Sequence, residues 1–252
     1  MAMTKTLSLR VKDKHAKFLL SQSKEVNFAW NFVNDLSYTH TKKTGKFFTA
    51  YDLNQYTTGA TKEGLSLHSQ SVQAVNEELV TRRKQFRKVK LRWRKSKGSQ
   101  RSLGWIPFKK SVIKYKNGQV HFQGKPMSLW DSYGLSNDEL GTGSFSEDSR
   151  GRWYFNTMVK VKLKTNEASK SVGIDLGLKE CAVTSGGDRL EGRNYRKLED
   201  ALAVAQRANK TLEVKNLHAK MKNRRKDELH QLSTVLTQAY GAIFVGNVSS
   251  SQ

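Results

Sequence analysis

Asp175 is the first residue whose setting invites chemistry. It lies inside Val172–Gly173–Ile174–Asp175–Leu176–Gly177, where the apolar neighbours read as a strand buried on its faces. A carboxylate buried there is costly unless a metal or a donor meets it, so the pattern points to a divalent-cation ligand. The competing reading is an Asp that caps a turn with help from Gly177. Glu180 starts the next strand, and Asp188 and Glu191 fall in or near a Gly-rich loop; none is placed opposite Asp175, and each reads as solvated. One carboxylate binds magnesium weakly and does not assemble a two-metal site.

The second chemical feature is charge. The chain carries 45 Lys plus Arg against 22 Asp plus Glu, a net +23. Between Glu78 and Asp131 there is no acidic residue, while Arg82, Arg83, Arg87, Lys88, Arg92, Arg94, Lys95, Lys97 and Arg101 crowd together. A solvated helix face normally mixes signs because like charges one turn apart repel. A dense run of one sign implies a polyanion that neutralises it, which favours nucleic acid. Trp93, Trp105, Phe108 and Tyr115 lie in and beyond the run as bases for stacking or as plain core. No basic amphipathic helix or apolar span stands out, so a membrane partner is not expected. Cys181 is the only cysteine, which excludes a disulfide framework and a cysteine-based zinc site. A soluble, unexported, cytoplasmic and nucleoid-associated protein is expected, and a monomer.

The elements that must position these residues follow from periodicity. Residues 4–12 alternate as a half-buried strand, with Leu7, Leu9 and Val11 inward. From Lys14 to about Tyr38 the spacing of Phe18, Leu19, Val26, Ala29, Trp30 and Val33 predicts a helix. Lys42–Phe48 reads as a polar turn, and Ser66–Trp93 as a second long helix carrying Val72, Val75, Leu79 and Phe86. Residues 112–122, VIKYKNGQVHF, predict a hairpin about Asn117–Gly118. Residues 152–164 read as a closing strand. After a polar linker at 165–170 come two strands, a long basic helical stretch from Tyr195 to Tyr240, and GAIFVGNV as a buried strand. The fold class is α/β multidomain: a small β-barrel of residues 1–12 and 93–165, a helical insertion of 13–92, and a mixed α/β domain over 170–252.

Several stretches together resemble the TnpB family of transposon-encoded proteins and their type V CRISPR descendants. GIDLGLKECAVTSGG at 173–187 looks like the family's first RuvC motif. LHSQSVQAV at 67–75, RWRKSKGSQRSLGWIPF at 92–108 and NRRKDELHQLST at 223–234 agree with it, and IFVGNVSSS at 243–251 resembles the second RuvC strand of one subgroup. The resemblance implies a wedge barrel, a helical recognition insertion and an RNase H-like RuvC domain. It implies RNA-guided DNA cleavage, with a guide RNA made from the transposon end and double-stranded target DNA bearing a short flanking motif. In the family the Asp at position 175 binds catalytic magnesium. Ser69, Gln70 and Gln73 correspond to the reader of the flanking motif, the alternative being exposed helix residues. Arg224, Arg225 and His230 fall on the run expected to face the heteroduplex or guide scaffold, His230 reading equally as a packed histidine.

The sequence also departs from the family pattern. Gly246, followed by Asn247, stands where a typical member has a catalytic Glu. With Gln252 the last residue, a downstream Glu, the zinc ribbon and the final Asp are not expected. The leading expectation is therefore a partial RuvC domain and a nuclease-deficient, RNA-guided DNA binder, suited to occluding DNA as a repressor. Magnesium would matter only if the site were completed elsewhere. The alternatives are the N-terminal portion of an active nuclease completed by a missing segment, and a decayed product that binds RNA without guidance.

Overall fold

The computed structural model describes residues 2–137, 139–162, 167–177, 180–191 and 194–246. The chain divides into two compact units, Met1–Lys162 and Leu163–Gln252. In the first unit the order is β1 (Ala2–Val11), α1 (Ala16–Thr44), α2 (Ala50–Thr57), α3 (Ser69–Phe86), β2 (Trp105–Phe108), β3 (Ile113–Lys116), β4 (Gln119–Phe122), β5 (Lys125–Met127), β6 (Leu129–Trp130), β7 (Gly143–Glu147) and β8 (Trp153–Lys162).

β1 does what its alternation predicts: Leu7, Leu9 and Val11 are buried and the intervening residues face out. It runs antiparallel to β8 from Ala2↔Lys162 to Arg10↔Tyr154. The five-stranded sheet has the linear order β2-β7-β8-β1-β6, and β3-β4-β5 form a separate three-stranded sheet. Phe108, Phe145 and Phe155 stack across the inner face of the larger sheet, and Phe122 of β4 meets Phe145 at 5.1 Å between ring centroids. One core therefore joins both sheets. Gly143 is required there, because a Cβ would lie 1.9 Å from the Asn156 carbonyl oxygen of the adjacent strand. The expected hairpin forms with Lys116↔Gln119 as its last pair, and Asn117 and Gly118 adopt φ of 52° and 71°.

The helices differ from expectation in two places. α2 lies just beyond the expected Lys42–Phe48 turn, in a stretch for which no element was expected; its signal was Thr49–Asp52, a capping box in which each side chain accepts from the other's backbone N–H. α3 ends at Phe86 rather than near Trp93, closed by Arg87 in the left-handed region at φ 50°. Beyond it the backbone leaves the helix because α1 captures it, as described below. α1 and α3 share the buried residues Leu19, Val26, Val33, Val72, Val75 and Leu79 with Leu53 of α2.

The second unit contains β9 (Ser171–Asp175), β10 (Glu180–Thr184), β11 (Arg189–Glu191), α4 (Glu199–Arg207), α5 (Thr211–Ala239) and β12 (Ala242–Val245). The sheet order is β11-β10-β9-β12, with β12 parallel to β9. The single helical stretch expected over 195–240 is broken at Asn209, whose φ is 53°. β12 was expected to be buried, yet Phe244 is 66% and Val245 56% exposed, because β12 forms the edge of the described sheet. Asn247 and the residues after it lie outside the described residues. Among the described residues no helix is long and apolar enough to cross a membrane.

Candidate nucleic-acid interface

The acid-free basic run is displayed by a ladder of asparagines on α1. Asn27, Asn31 and Asn34 follow at helical spacing, so their carboxamides line one face. Asn34 donates to the Leu91 carbonyl at 2.8 Å and accepts from the Leu91 N–H at 3.0 Å. Asn31 repeats the exchange with Arg94, at 2.9 and 2.8 Å. Asn27 accepts from Arg94 Nε at 2.6 Å and donates to Ser96 Oγ at 3.1 Å, while Trp30 Nε1 donates to the Arg92 carbonyl. Residues 91–96, outside any helix or strand, are thus held by neutral side chains rather than by carboxylates. Arg92, Trp93, Lys95 and Lys97 are left exposed along this stretch. A polar seam that leaves these cations without carboxylate partners among the described residues suits a polyanionic partner. Sequence reading missed this ladder, although the Asn spacing on the helix was its signal.

The arginines of the run divide into two kinds. Arg83 is a correction: it is 4% exposed and donates to Ser37 Oγ and the Phe48 carbonyl, with its guanidinium over the Phe47 ring. Burial lowers its pKa from the ordinary arginine value, and it braces α1 against α3 instead of reaching a phosphate. Arg94 is likewise absorbed, held by Asn27 and the Leu103 carbonyl over the Trp105 ring. Arg101 makes a bidentate pair with Glu147 at 2.7 and 2.8 Å. Arg87, Lys88, Arg92, Lys95 and Lys97 are exposed; Arg82 is also on the surface but meets Glu78 at 2.6 Å. Of the aromatics, Phe108 is core and Trp105 packs edge-on against Trp30, whereas Trp93 is 54% exposed.

Ser69, Gln70 and Gln73 open α3, whose first turn is capped by His68 Nδ1 accepting from the Gln70 N–H. Ser69 is exposed; Gln70 and Gln73 are half-buried. The Gln70 carboxamide oxygen accepts from the Ser111 hydroxyl, and that of Gln73 from Lys109 Nζ at 3.3 Å. Lys109 also pairs with Glu77 at 2.7 Å. A two-point bond from either glutamine to a base would first displace these partners.

In the second unit Asp175 is exposed, which corrects the burial expected of it. The period of two places Ser171, Gly173 and Asp175 on one face, opposite buried Val172. Its neighbours are settled by register: Val183 pairs with it from β10, and on the β12 side Val245 pairs with Ile174. The Gly246 N–H donates to the Ile174 carbonyl at 3.1 Å, so Gly246 comes next beside Asp175 and brings no side chain. Glu180 is engaged by Arg189 at 3.1 Å and Asp188 by the Thr184 turn; the Glu191 side chain lies outside the described residues. Among the described residues no group of three His, Cys, Asp or Glu converges as a metal site. Among the described residues, those around Asp175 do not fit a two-metal centre. Arg224, Arg225 and His230 are exposed on α5, so His230 is not a packed histidine.

Residues 154–251 match the family model OrfB_IS605, a probable transposase. Over 170 residues the chain is 25% identical to a Streptomyces pristinaespiralis protein named "Putative RNA-guided DNA endonuclease", a match covering 61% of this chain and 42% of that protein. The chain therefore spans less than half the length of that relative. Two solved structures are similar over most of the chain: a Cas12f1–sgRNA–target DNA complex (16% identity, TM-score 0.37, 98% of this chain and 74% of that one) and a CRISPR-Cas12f ternary complex (12%, 0.43, 94% and 64%). The family-model match takes in the motifs around Asp175 and Arg225, and the two sequence matches support a TnpB-family member.

Proposed function

We propose that this chain is an RNA-guided DNA-binding protein that is nuclease-deficient as it stands and acts by occupying its target, as a repressor would. The observation that carries the reading is the asparagine-held segment 91–96, which presents Arg92, Lys95 and neighbouring Lys97 without carboxylate partners among the described residues. In this reading guide-target pairing supplies sequence while the protein reads backbone, shape and a flanking motif. Residues 1–12 and 93–165 serve as the wedge domain, built here on open sheets rather than the expected closed barrel, 13–92 as the recognition insertion, and 170–252 as a partial RuvC-like domain. The guide RNA contacts the exposed cations at 82, 87, 88, 92, 95 and 97, Ser69, Gln70 and Gln73 face the flanking motif of double-stranded DNA, and Arg224 and Arg225 face the heteroduplex. Support for deficiency is local: the residue beside Asp175 is Gly246, and among the described residues no group of carboxylates gathers there to share a cation.

The test is direct. The purified chain is expected to carry a structured RNA that high salt removes, and with guide RNA, magnesium and matched DNA to bind without cutting. RNA-free protein at physiological salt would sink the binding reading. Magnesium-dependent cleavage that disappears in Asp175→Ala would sink the deficiency, and would favour an active nuclease.

A further inference from the structure

Trp93 stays 54% exposed although the backbone on both sides of it is pinned. Asn34 holds Leu91, Trp30 Nε1 donates to the Arg92 carbonyl, and Asn31 satisfies both backbone groups of Arg94. The position of the indole is therefore set by the fold. Lys90 steadies one side of it: Nζ lies 5.7 Å from the Trp93 ring centroid and 4.6 Å from that of Tyr38 on α1. Both distances are within cation–π reach. Lys90 also donates to Asp35 at 2.9 Å, so its charge is matched and the ammonium serves as a strut between α1 and the indole.

The surroundings select the ligand. Arg92 precedes the indole and Lys95 follows two residues later, both exposed. A flat apolar ring among exposed cations is complementary to a nucleotide, whose base offers a π face and whose phosphate is anionic. Bases inside a paired helix have both faces covered by their neighbours, so only a base splayed out of its stack can lie on the indole. We propose that Trp93 is a stacking platform for one unpaired nucleobase of a single-stranded segment, with Arg92 and Lys95 on the phosphates around it. This rests on the RNA contact proposed for the basic run and adds what that reading leaves open, the strandedness of the nucleic acid at this point.

Two probes separate a stacked base from a backbone contact: a fluorescein-labelled twelve-nucleotide oligouridine and an RNA duplex of the same length. Each is titrated into nuclease-treated full-length chain and followed by anisotropy. Removing an aromatic platform typically weakens binding by roughly five- to hundredfold per base. Trp93→Ala is expected to weaken oligouridine binding by that factor and to leave duplex binding unchanged. Trp93→Leu, which keeps apolar bulk against Lys90 without a ring, should lose as much, and Trp93→Phe should retain most of the affinity. Stacking releases no counterion, so Trp93→Ala should keep the parent's slope of log K against log salt, while Arg92→Gln flattens it. Trp93 is largely exposed, so an unchanged melting temperature checks that the variants fold. Oligouridine binding that survives Trp93→Ala and Trp93→Leu, or an equal loss on both probes, overturns the proposal and leaves the RNA-contact reading standing. A flattened salt slope in Trp93→Ala also overturns it, since the ring then only holds the basic segment in place. A parent chain that binds neither probe overturns both readings.

Discussion

Asn34→Ala tests whether the ladder on α1 displays the basic segment. Asn34 is 2% exposed and satisfies both the N–H and the carbonyl of Leu91, itself 9% exposed. Truncation leaves two buried backbone groups without partners, at about 1–3 kcal/mol each if nothing moves. Partial release of residues 91–96 lowers this, so a loss of about 2–4 kcal/mol is expected. With a urea slope near 2 kcal/mol/M, the midpoint should fall by about 1–2 M. All five tryptophans lie in the first unit, so tryptophan fluorescence follows that unit alone. RNA binding gives the second readout: losing ordered phosphate contacts at Arg92, Lys95 and Lys97 should flatten the slope of log K against log salt by about 2. Arg92→Gln, which leaves the ladder intact, should flatten it by about 0.7 with stability unchanged. A midpoint shift equivalent to less than about 0.5 kcal/mol, together with an unchanged salt slope, would refute the display argument.

Four further outcomes are expected. Burial alone would raise the pKa of Glu147, but hydrogen bonds from Arg101 and the Gly104 N–H outweigh it and hold the carboxylate below the ordinary glutamate range. A depressed carboxylate stabilises the fold above its unfolded pKa, about 4.3, and that contribution is lost as pH falls through the lower folded value; Glu147→Gln should remove it, at about 2–3 kcal/mol because Arg101 is one-third exposed and can rehydrate, and a parent-like acid melting profile would contradict this. Gln73→Ala should weaken target-DNA binding by roughly tenfold while guide RNA binds as before, as equilibrium titration of each ligand would reveal; equal loss of both contradicts the reader assignment. Gly246→Glu should create a cation site with Asp175, since adjacent strands lie about 4.8 Å apart and a Cβ at Gly246 meets nothing closer than the Ile174 carbonyl oxygen at 3.8 Å. Millimolar Mn²⁺ should then raise the melting temperature of this variant but not of Gly246→Gln; an equal response in both rejects the geometry. Replacing Arg224 and Arg225 together by Glu should lower nucleic-acid affinity severalfold at 0.15 M salt, measured by fluorescence anisotropy, and undiminished affinity would remove α5 from the interface.

Local patterns were sufficient for much of the fold. Period-two alternation in β1 and β8, the Asn117–Gly118 turn and the helical spacing from Phe18 to Val33 each dictate a short-range geometry that packing then uses unchanged. The one-sign charge run and the motif around Asp175 were also legible, because net charge and residue order do not depend on folding. What tertiary structure alone decided is which of those residues are available. Arg83, Arg94 and Arg101 have the same chemistry as Arg92, yet carbonyls, a ring and Glu147 consume the first three, and these partners lie between 9 and 67 residues away along the chain. α3 stops at Phe86 although its sequence continues to favour a helix, because Asn31 and Asn34 offer the backbone of Leu91 and Arg94 better-satisfied hydrogen bonds from another helix. The exposure of Asp175 depends likewise on which face of β9 is covered, a long-range property that its local apolar neighbours misreport. Spacing determines what a residue can do; the partners brought to it from elsewhere in the chain determine whether it remains free to do so.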